Sequence, residues 1–198
     1  MRKQNLFELT SKVRKIINEP PIIVGSQAIF AITDFPPDIV RKSVECDYLL
    51  LKEFAKLRPH LTENLGIFSE YQQETGFYAD ILGLATVVLP NGWEKRLVEL
   101  KNESGEIIAL CVELHDVAVS KLMAGREKDF EFLQSAFLAD YLETKILFER
   151  LQLILDSPFS EALLPRLQKL IEKIETEISL RDVCNELRTF VREHSPHG

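Results

Sequence analysis

Glycine and proline thin out in the second half of this chain. Six of eight glycines and six of nine prolines precede residue 107, and Gly125 is the only internal glycine after it. That scarcity excludes a succession of tight turns there, so the second half reads as helical, while the first half has the turn residues that strands need. Cysteine is scarce too: Cys46, Cys111 and Cys184 are odd in number and far apart, which excludes a disulfide framework and a Cys-x-x-Cys pair. Of the histidines His60, His115, His194 and His197, none outside the end of the chain form a pair with metal-ligand spacing, which excludes a His-based zinc site. Long apolar runs are missing. The longest lies within residues 81–89 and is interrupted by Gly83 and Thr86, too short to cross a bilayer. The start, Met1-Arg2-Lys3-Gln4-Asn5, has no apolar core of a signal peptide. The expectation is a cytoplasmic protein without a membrane partner.

Positive charge is also in short supply. The 24 Lys and Arg against 31 Asp and Glu leave a net charge of −7, and acids outnumber bases on both sides of His115. A wide basic surface for non-specific nucleic-acid binding is excluded, although a local basic pocket is not. What is present is the mix of a folded protein, with 45% apolar and 28% charged residues over a length of 198. That length suits one domain, or one domain with a helical appendage.

Apolar residues Leu6, Leu9, Val13, Ile16 and Ile17 recur at helical spacing until Pro20-Pro21, which predicts a helix over about 5–18. Ile22-Ile23-Val24 reads as a buried strand that turns at Gly25-Ser26 into a short helix ending near Phe30. In 44–51, Val44, Cys46, Tyr48 and Leu50 share one face of a strand, and Glu45, Asp47, Leu49 and Leu51 the other. Thr62 is placed to cap a helix running toward Glu74. Further strands are expected over 77–81, 86–89, 96–100 and 107–113. From Asp116, a good N-cap, the pattern is helical, and Ser179 with Asp182 resembles a capping box for the last helix. Two regions are expected: a mixed α/β core over 1–115 and a helical region over 116–198. Trp93, Phe68, Tyr71, Phe77 and Tyr78 read as core rather than as base-stacking groups.

Three features carry chemistry. In Val24-Gly25-Ser26-Gln27-Ala28 a strand passes through Gly-Ser into a helix, where free amides, a helix dipole and a bare glycine backbone can receive a phosphate. The plainer reading is a turn and cap, and no Gly-Lys-Ser/Thr follows to make a Walker A loop. Glu45-Cys46-Asp47 puts two carboxylates on one strand face, close enough to share a hard cation. The plainer alternative is a solvent-facing stripe on an edge strand. From His115 to Asp129, one helix carries Lys121, Gly125 permits a bend, and a second helix starts with Arg126 and Asp129; a solvated helix pair is the alternative here. No Gly-x-Ser-x-Gly elbow is present.

Together with Leu89-Pro90-Asn91-Gly92-Trp93-Glu94-Lys95-Arg96, these segments resemble the nucleotidyltransferase superfamily, and more closely its abortive-infection AbiE-type toxin branch and uncharacterised bacterial relatives. The resemblance spans about residues 5–135. It implies a mixed sheet with flanking helices followed by an all-helical C-terminal region. It also implies transfer of a nucleoside monophosphate from a nucleoside triphosphate to a hydroxyl of RNA or protein, in a toxin–antitoxin or phage-defence setting. Gly25 and Ser26 would contact the phosphates, and Glu45 and Asp47 would hold magnesium. Lys121 and Arg126 would meet the triphosphate, with Asp129 as a further motif carboxylate. Glu45 stands in place of the more usual Asp, and the spacing from Ser26 to Glu45 is longer than in minimal members. The third carboxylate, base and metal ligand in active members, falls first on Asp80, ahead of Glu99 and Glu113. The alternative is a catalytically inactive binding or regulatory protein on the same fold. Its contacts with an antitoxin or a second copy would run through the C-terminal apolar stripes Leu163, Leu167, Leu170, Ile171, Ile174 and Ile178, and Phe148, Leu151, Ile154 and Leu155, whose ordinary use is packing within a helical bundle.

Overall fold

The computed structural model describes residues 1–158 and 160–195; His197 lies outside them. The chain forms two compact units, one of residues 1–87 and 93–113 and one of residues 88–92 and 114–198. The fold is mixed α and β, with a five-stranded sheet, flanking helices and a helical C-terminal region.

The first unit opens with α1 (Lys3–Ile17), which buries Leu6, Leu9, Thr10, Val13 and Ile17 along one face. Each fully buried aliphatic side chain of this kind contributes about 1.5–3 kcal/mol. The helix stops at Asn18, which adopts a left-handed conformation (φ 62°), just ahead of the two prolines. Strand β1 (Ile22–Ile23) leads through a 3-10 turn, Ser26–Ala31, and the short α2 (Asp38–Lys42) to β2 (Glu45–Leu50). A second 3-10 turn, α3 (Arg58–Leu65) and α4 (Glu70–Thr75) precede β3 (Tyr78–Gly83). The hairpin of β4 (Val98–Lys101) and β5 (Ile107–Cys111) completes the sheet, in the order β3-β2-β1-β5-β4. β1 pairs antiparallel with β2 and parallel with β5, β2 pairs parallel with β3, and β4 pairs antiparallel with β5.

Side chains alternate across the sheet. On β2, Cys46 and Tyr48 are buried toward α1, where the Tyr48 hydroxyl and Thr10 Oγ1 share a hydrogen bond of 2.8 Å. Ala79 and Ile81 extend that buried layer on β3, and α3 contacts both β3 and α1. Burial pushes the Cys46 thiol well above its usual range and that of Cys111 up to about 12, so neither is a thiolate. Of the aromatics read as core, Trp93 and Tyr71 are buried, whereas Phe68 is exposed.

The second unit is built from α5 (Leu114–Ala124), α6 (Glu127–Leu138), α7 (Thr144–Gln152), α8 (Ser160–Ile174) and α9 (Arg181–His194). The stripe Leu163, Leu167, Leu170, Ile171 and Ile174 is fully buried, and α8 contacts α5, α6 and α9. Leu151 and Ile154 are buried as well, while Ile178 is exposed. No described helix is long and apolar enough to cross a membrane.

Four local expectations turn out differently. Residues 84–86 form a 3-10 turn, and no strand runs over 86–89. The helix expected from Thr62 to Glu74 is two helices, broken at Gly66 and restarted by Ser69, whose hydroxyl accepts from the Gln72 amide at 3.1 Å. Asp116 is not an N-cap: it lies inside α5, fully buried, with Arg150 Nε of α7 at 3.2 Å from its carboxylate. Leu180, not Ser179, occupies the N-cap of α9, with no side-chain capping bond.

Candidate functional site

Strand alternation decides what β2 and β3 offer on the face away from α1. Because Cys46 and Tyr48 point into the core, Glu45 and Asp47 point the other way. The parallel register sets Tyr78 opposite Glu45 and Asp80 opposite Asp47, so all four share one face. β2 lies between β3 and β1, so the acid pair sits on an internal strand and not on the edge strand that the plainer reading required. The Tyr78 hydroxyl donates to Glu45 Oε2 at 2.7 Å. Burial first, then that bond and the negative charges of Glu45, Asp80 and Asp47, raise the phenol above its usual range.

Glu99 is placed elsewhere. β4, which carries Glu99, is the opposite edge of the sheet, and the exposed Glu99 carboxylate pairs with Lys101 Nζ at 2.8 Å. Glu113 follows β5, which pairs with β1 and β4.

The Gly-Ser element arrives beside Asp47 through the strand pairing. β1 runs alongside β2 with Ile22 opposite Leu49 and Ile23 opposite Tyr48, and the Val24 amide donates to the Asp47 carbonyl at 2.9 Å. The chain then turns at Gly25, with φ 104° and ψ −165°. A Cβ there would lie 2.1 Å from Asp47 Oδ2, so only glycine brings the backbone this close to the carboxylate. Ser26 starts the following turn, and the buried Gln27 side chain donates through Nε2 to the Val40 carbonyl at 3.1 Å. That turn is a six-residue 3-10 helix, not the α-helix that a strong dipole needs. A phosphate here would meet backbone amides rather than a macrodipole.

A second cluster belongs to the helical unit. α5 carries Lys121 and ends at the elbow residue Gly125, whose φ is +63° and whose amide donates to the Lys121 carbonyl at 2.9 Å. Arg126 is the N-cap of α6, and its Nε donates to Asp129 Oδ2 at 2.7 Å. Lys121 Nζ stands 3.1 Å from Asp129 Oδ1 and 5.7 Å from the centroid of the Phe132 ring. Asp129 is fully buried and the Lys121 side chain is 11% exposed, against 59% for Arg126. Burial favours the neutral carboxyl of Asp129, but the Arg126 hydrogen bond and the Lys121 charge outweigh it, and the group titrates below its usual range. Lys121 is thus an enclosed, paired cation and not a solvated helix charge.

Sequence reading missed Arg166 of α8. Its Nη1 donates to the Gly125 carbonyl at 3.0 Å, and a Cβ on Gly125 would lie 1.9 Å from that nitrogen. The one available signal was an isolated glycine in a half otherwise nearly free of it.

The donor chemistry on the strand face is that of a hard cation: carboxylate oxygens from Glu45, Asp47 and Asp80, without a soft ligand. Among the described residues no three His, Cys, Asp or Glu side chains are grouped tightly enough to cage an ion. Magnesium does not require a protein cage, since it commonly takes one or two carboxylates and completes its shell with water and substrate phosphate. The residues fit magnesium in that role.

No curated protein and no solved structure matches the chain. Residues 4–161 match the family described as nucleotidyltransferase of unknown function (DUF6036), and the chain belongs to that family.

Proposed function

We propose that this member of a nucleotidyltransferase family is a magnesium-dependent enzyme that moves a nucleoside monophosphate from a nucleoside triphosphate to a hydroxyl of RNA or protein. The observation that carries the reading is the contact of the Gly25 backbone with the Asp47 carboxylate, beside Asp80 in register. A phosphate-receiving turn and an acidic metal-ligand strand meet there without an intervening side chain.

In this reading the amides of Gly25 and Ser26 hold the phosphates, and Asp129 orients Lys121 and Arg126, the cations that the resemblance assigns to the triphosphate. Glu45 and Asp47 would hold magnesium, which neutralises developing charge on the phosphates and lowers the pKa of the attacking hydroxyl. Asp80 accepts the proton of that hydroxyl. The hydroxyl oxygen bonds to the α-phosphorus while the bond from that phosphorus to the pyrophosphate oxygen breaks, and its electron pair leaves with pyrophosphate. The Lys121-to-Asp129 segment is what draws the chain toward the AbiE-type branch, and with it a cytoplasmic toxin or phage-defence role.

The test is transfer of α-labelled nucleoside triphosphates to RNA and protein acceptors. Wild-type chain is expected to label an acceptor only with magnesium, and Glu45→Ala/Asp47→Ala to fall to background. Label transfer by the double variant would refute the mechanism.

The ion pair of Lys121 with Asp129 favours a second reading. A phosphate-binding lysine already neutralised suits a non-catalytic regulatory protein that acts by binding an antitoxin or a second copy of itself. Its signature would be a stable complex with that partner, with no magnesium-dependent shift in Tm from any of the four nucleoside triphosphates.

A further inference from the structure

We infer that Tyr78 is a positioning residue for Glu45, holding its carboxylate where a divalent cation is received; the inference rests on the catalytic reading above. Glu45 has one more rotatable bond than Asp47, so its carboxylate has more orientations to lose on binding an ion. The neighbouring strand supplies the restraint. Tyr78 stands directly opposite Glu45 in the parallel register, and its hydroxyl donates to Oε2 at 2.7 Å.

The choice of donor matters. A lysine or arginine at that position would add a positive charge and compete with the cation for the carboxylate. A phenol hydroxyl restrains the carboxylate and leaves the net negative charge of the face unchanged. Tyr78 is itself half-buried on β3, two residues before Asp80, so the strand that brings the third carboxylate also brings the restraint. Partners that orient a metal ligand in this way are worth about 10–100-fold in metal affinity.

The experiment is a titration with Mn2+ alone, followed by the loss of the free-ion electron paramagnetic resonance signal. It compares the full wild-type chain with Tyr78→Phe, Glu45→Gln and the double variant. Tyr78→Phe removes one oxygen, and its Tm checks the fold. The expected result is about 10-fold weaker Mn2+ binding in Tyr78→Phe, and less than about a 2-fold further change when the same substitution is added to Glu45→Gln. The Mg2+ concentration giving half-maximal nucleotide transfer should rise by the same factor, with kcat at saturating Mg2+ close to wild type.

Three outcomes of this comparison overturn it. If Tyr78→Phe binds Mn2+ as wild type does, the hydroxyl positions nothing. An equal loss in the Glu45→Gln background means that Tyr78 does not act through Glu45. In both cases the catalytic reading stands if wild type binds Mn2+ and transfers label. Wild-type chain that neither binds Mn2+ nor transfers label removes the catalytic reading and this inference with it. Should Tyr78→Phe fail to fold, Glu45→Asp carries the test, because it withdraws the carboxylate from the hydroxyl by one methylene. Mn2+ binding by Glu45→Asp at wild-type strength would then overturn the inference.

Discussion

Lys121 and Asp129 face each other at 3.1 Å across a glycine elbow, and the aspartate is fully buried. Eight positions apart in sequence, they come together because α5 ends at Gly125 and α6 starts with Arg126, whose own side chain closes on the same carboxylate. The pair links whatever Lys121 does for a ligand to the folding of the unit that carries it.

Lys121→Met should therefore lower stability by about 1–3 kcal/mol, the usual cost of stripping a partner from a buried polar group. Arg126 remains on Asp129 and keeps the loss from being larger. Urea unfolding followed by circular dichroism measures the change. A solvated helix lysine would shift stability by no more than about half a kcal/mol.

The acid stability of the chain should depend on Asp129. Its carboxyl titrates below the usual range when folded, so it contributes stability that is complete above the unfolded pKa, about 3.9. That contribution is lost as pH falls through the lower folded value. Denaturant midpoints taken from pH 6 down to pH 2 should fall in the wild-type chain, and the fall should be shallower in Asp129→Asn.

Gly25→Ala should impair the strand face more than the fold. Its Cβ would have to displace the Asp47 carboxylate from 2.1 Å, at a backbone φ of 104° that alanine resists. The strain amounts to about 1–3 kcal/mol, within reach of a thermal melt. Displacing a positioned group by about 1 Å is worth about 100-fold in rate, so nucleotide transfer should drop by that order while the chain remains folded.

Asp80→Asn and Glu99→Gln separate two of the three acids that the sequence offered as third carboxylate, with Asp80 ahead. Labelled-nucleotide transfer should fall to background in Asp80→Asn, which faces Asp47, and stay at the wild-type level in Glu99→Gln, on the opposite edge of the sheet. Activity lost in Glu99→Gln and retained in Asp80→Asn would exchange their roles.

What the sequence made legible was local. The period-two pattern around Cys46 and Tyr48 placed Glu45 and Asp47 on one face, and Gly25-Ser26 after Ile22-Ile23 marked the turn. Pairing was not legible. The sequence ranked Asp80 ahead of Glu99 and Glu113, but its place opposite Asp47 follows only from the register of β3 on β2, which no local pattern encodes. Asp116 looked like a cap because its partner, Arg150, is far along the chain. The apolar residues over 86–89 fit a strand, but β3 ends at Gly83 and a 3-10 turn over Leu84–Thr86 follows it. Arg166 escaped because a bond from an arginine to a distant glycine carbonyl leaves no pattern in composition or periodicity.

β1 is two residues long, yet it is the seam of the sheet: β2 and β3 lie on one side of it and β5 and β4 on the other. The Val24 amide, one peptide before Gly25, extends that seam onto the Asp47 carbonyl. Whatever is gripped at Gly25 therefore pulls on the thinnest joint of the unit. A ligand there would act as a clasp across both halves of the sheet, and its occupancy would be read in how slowly the amides of Ile23 and Val24 exchange with solvent.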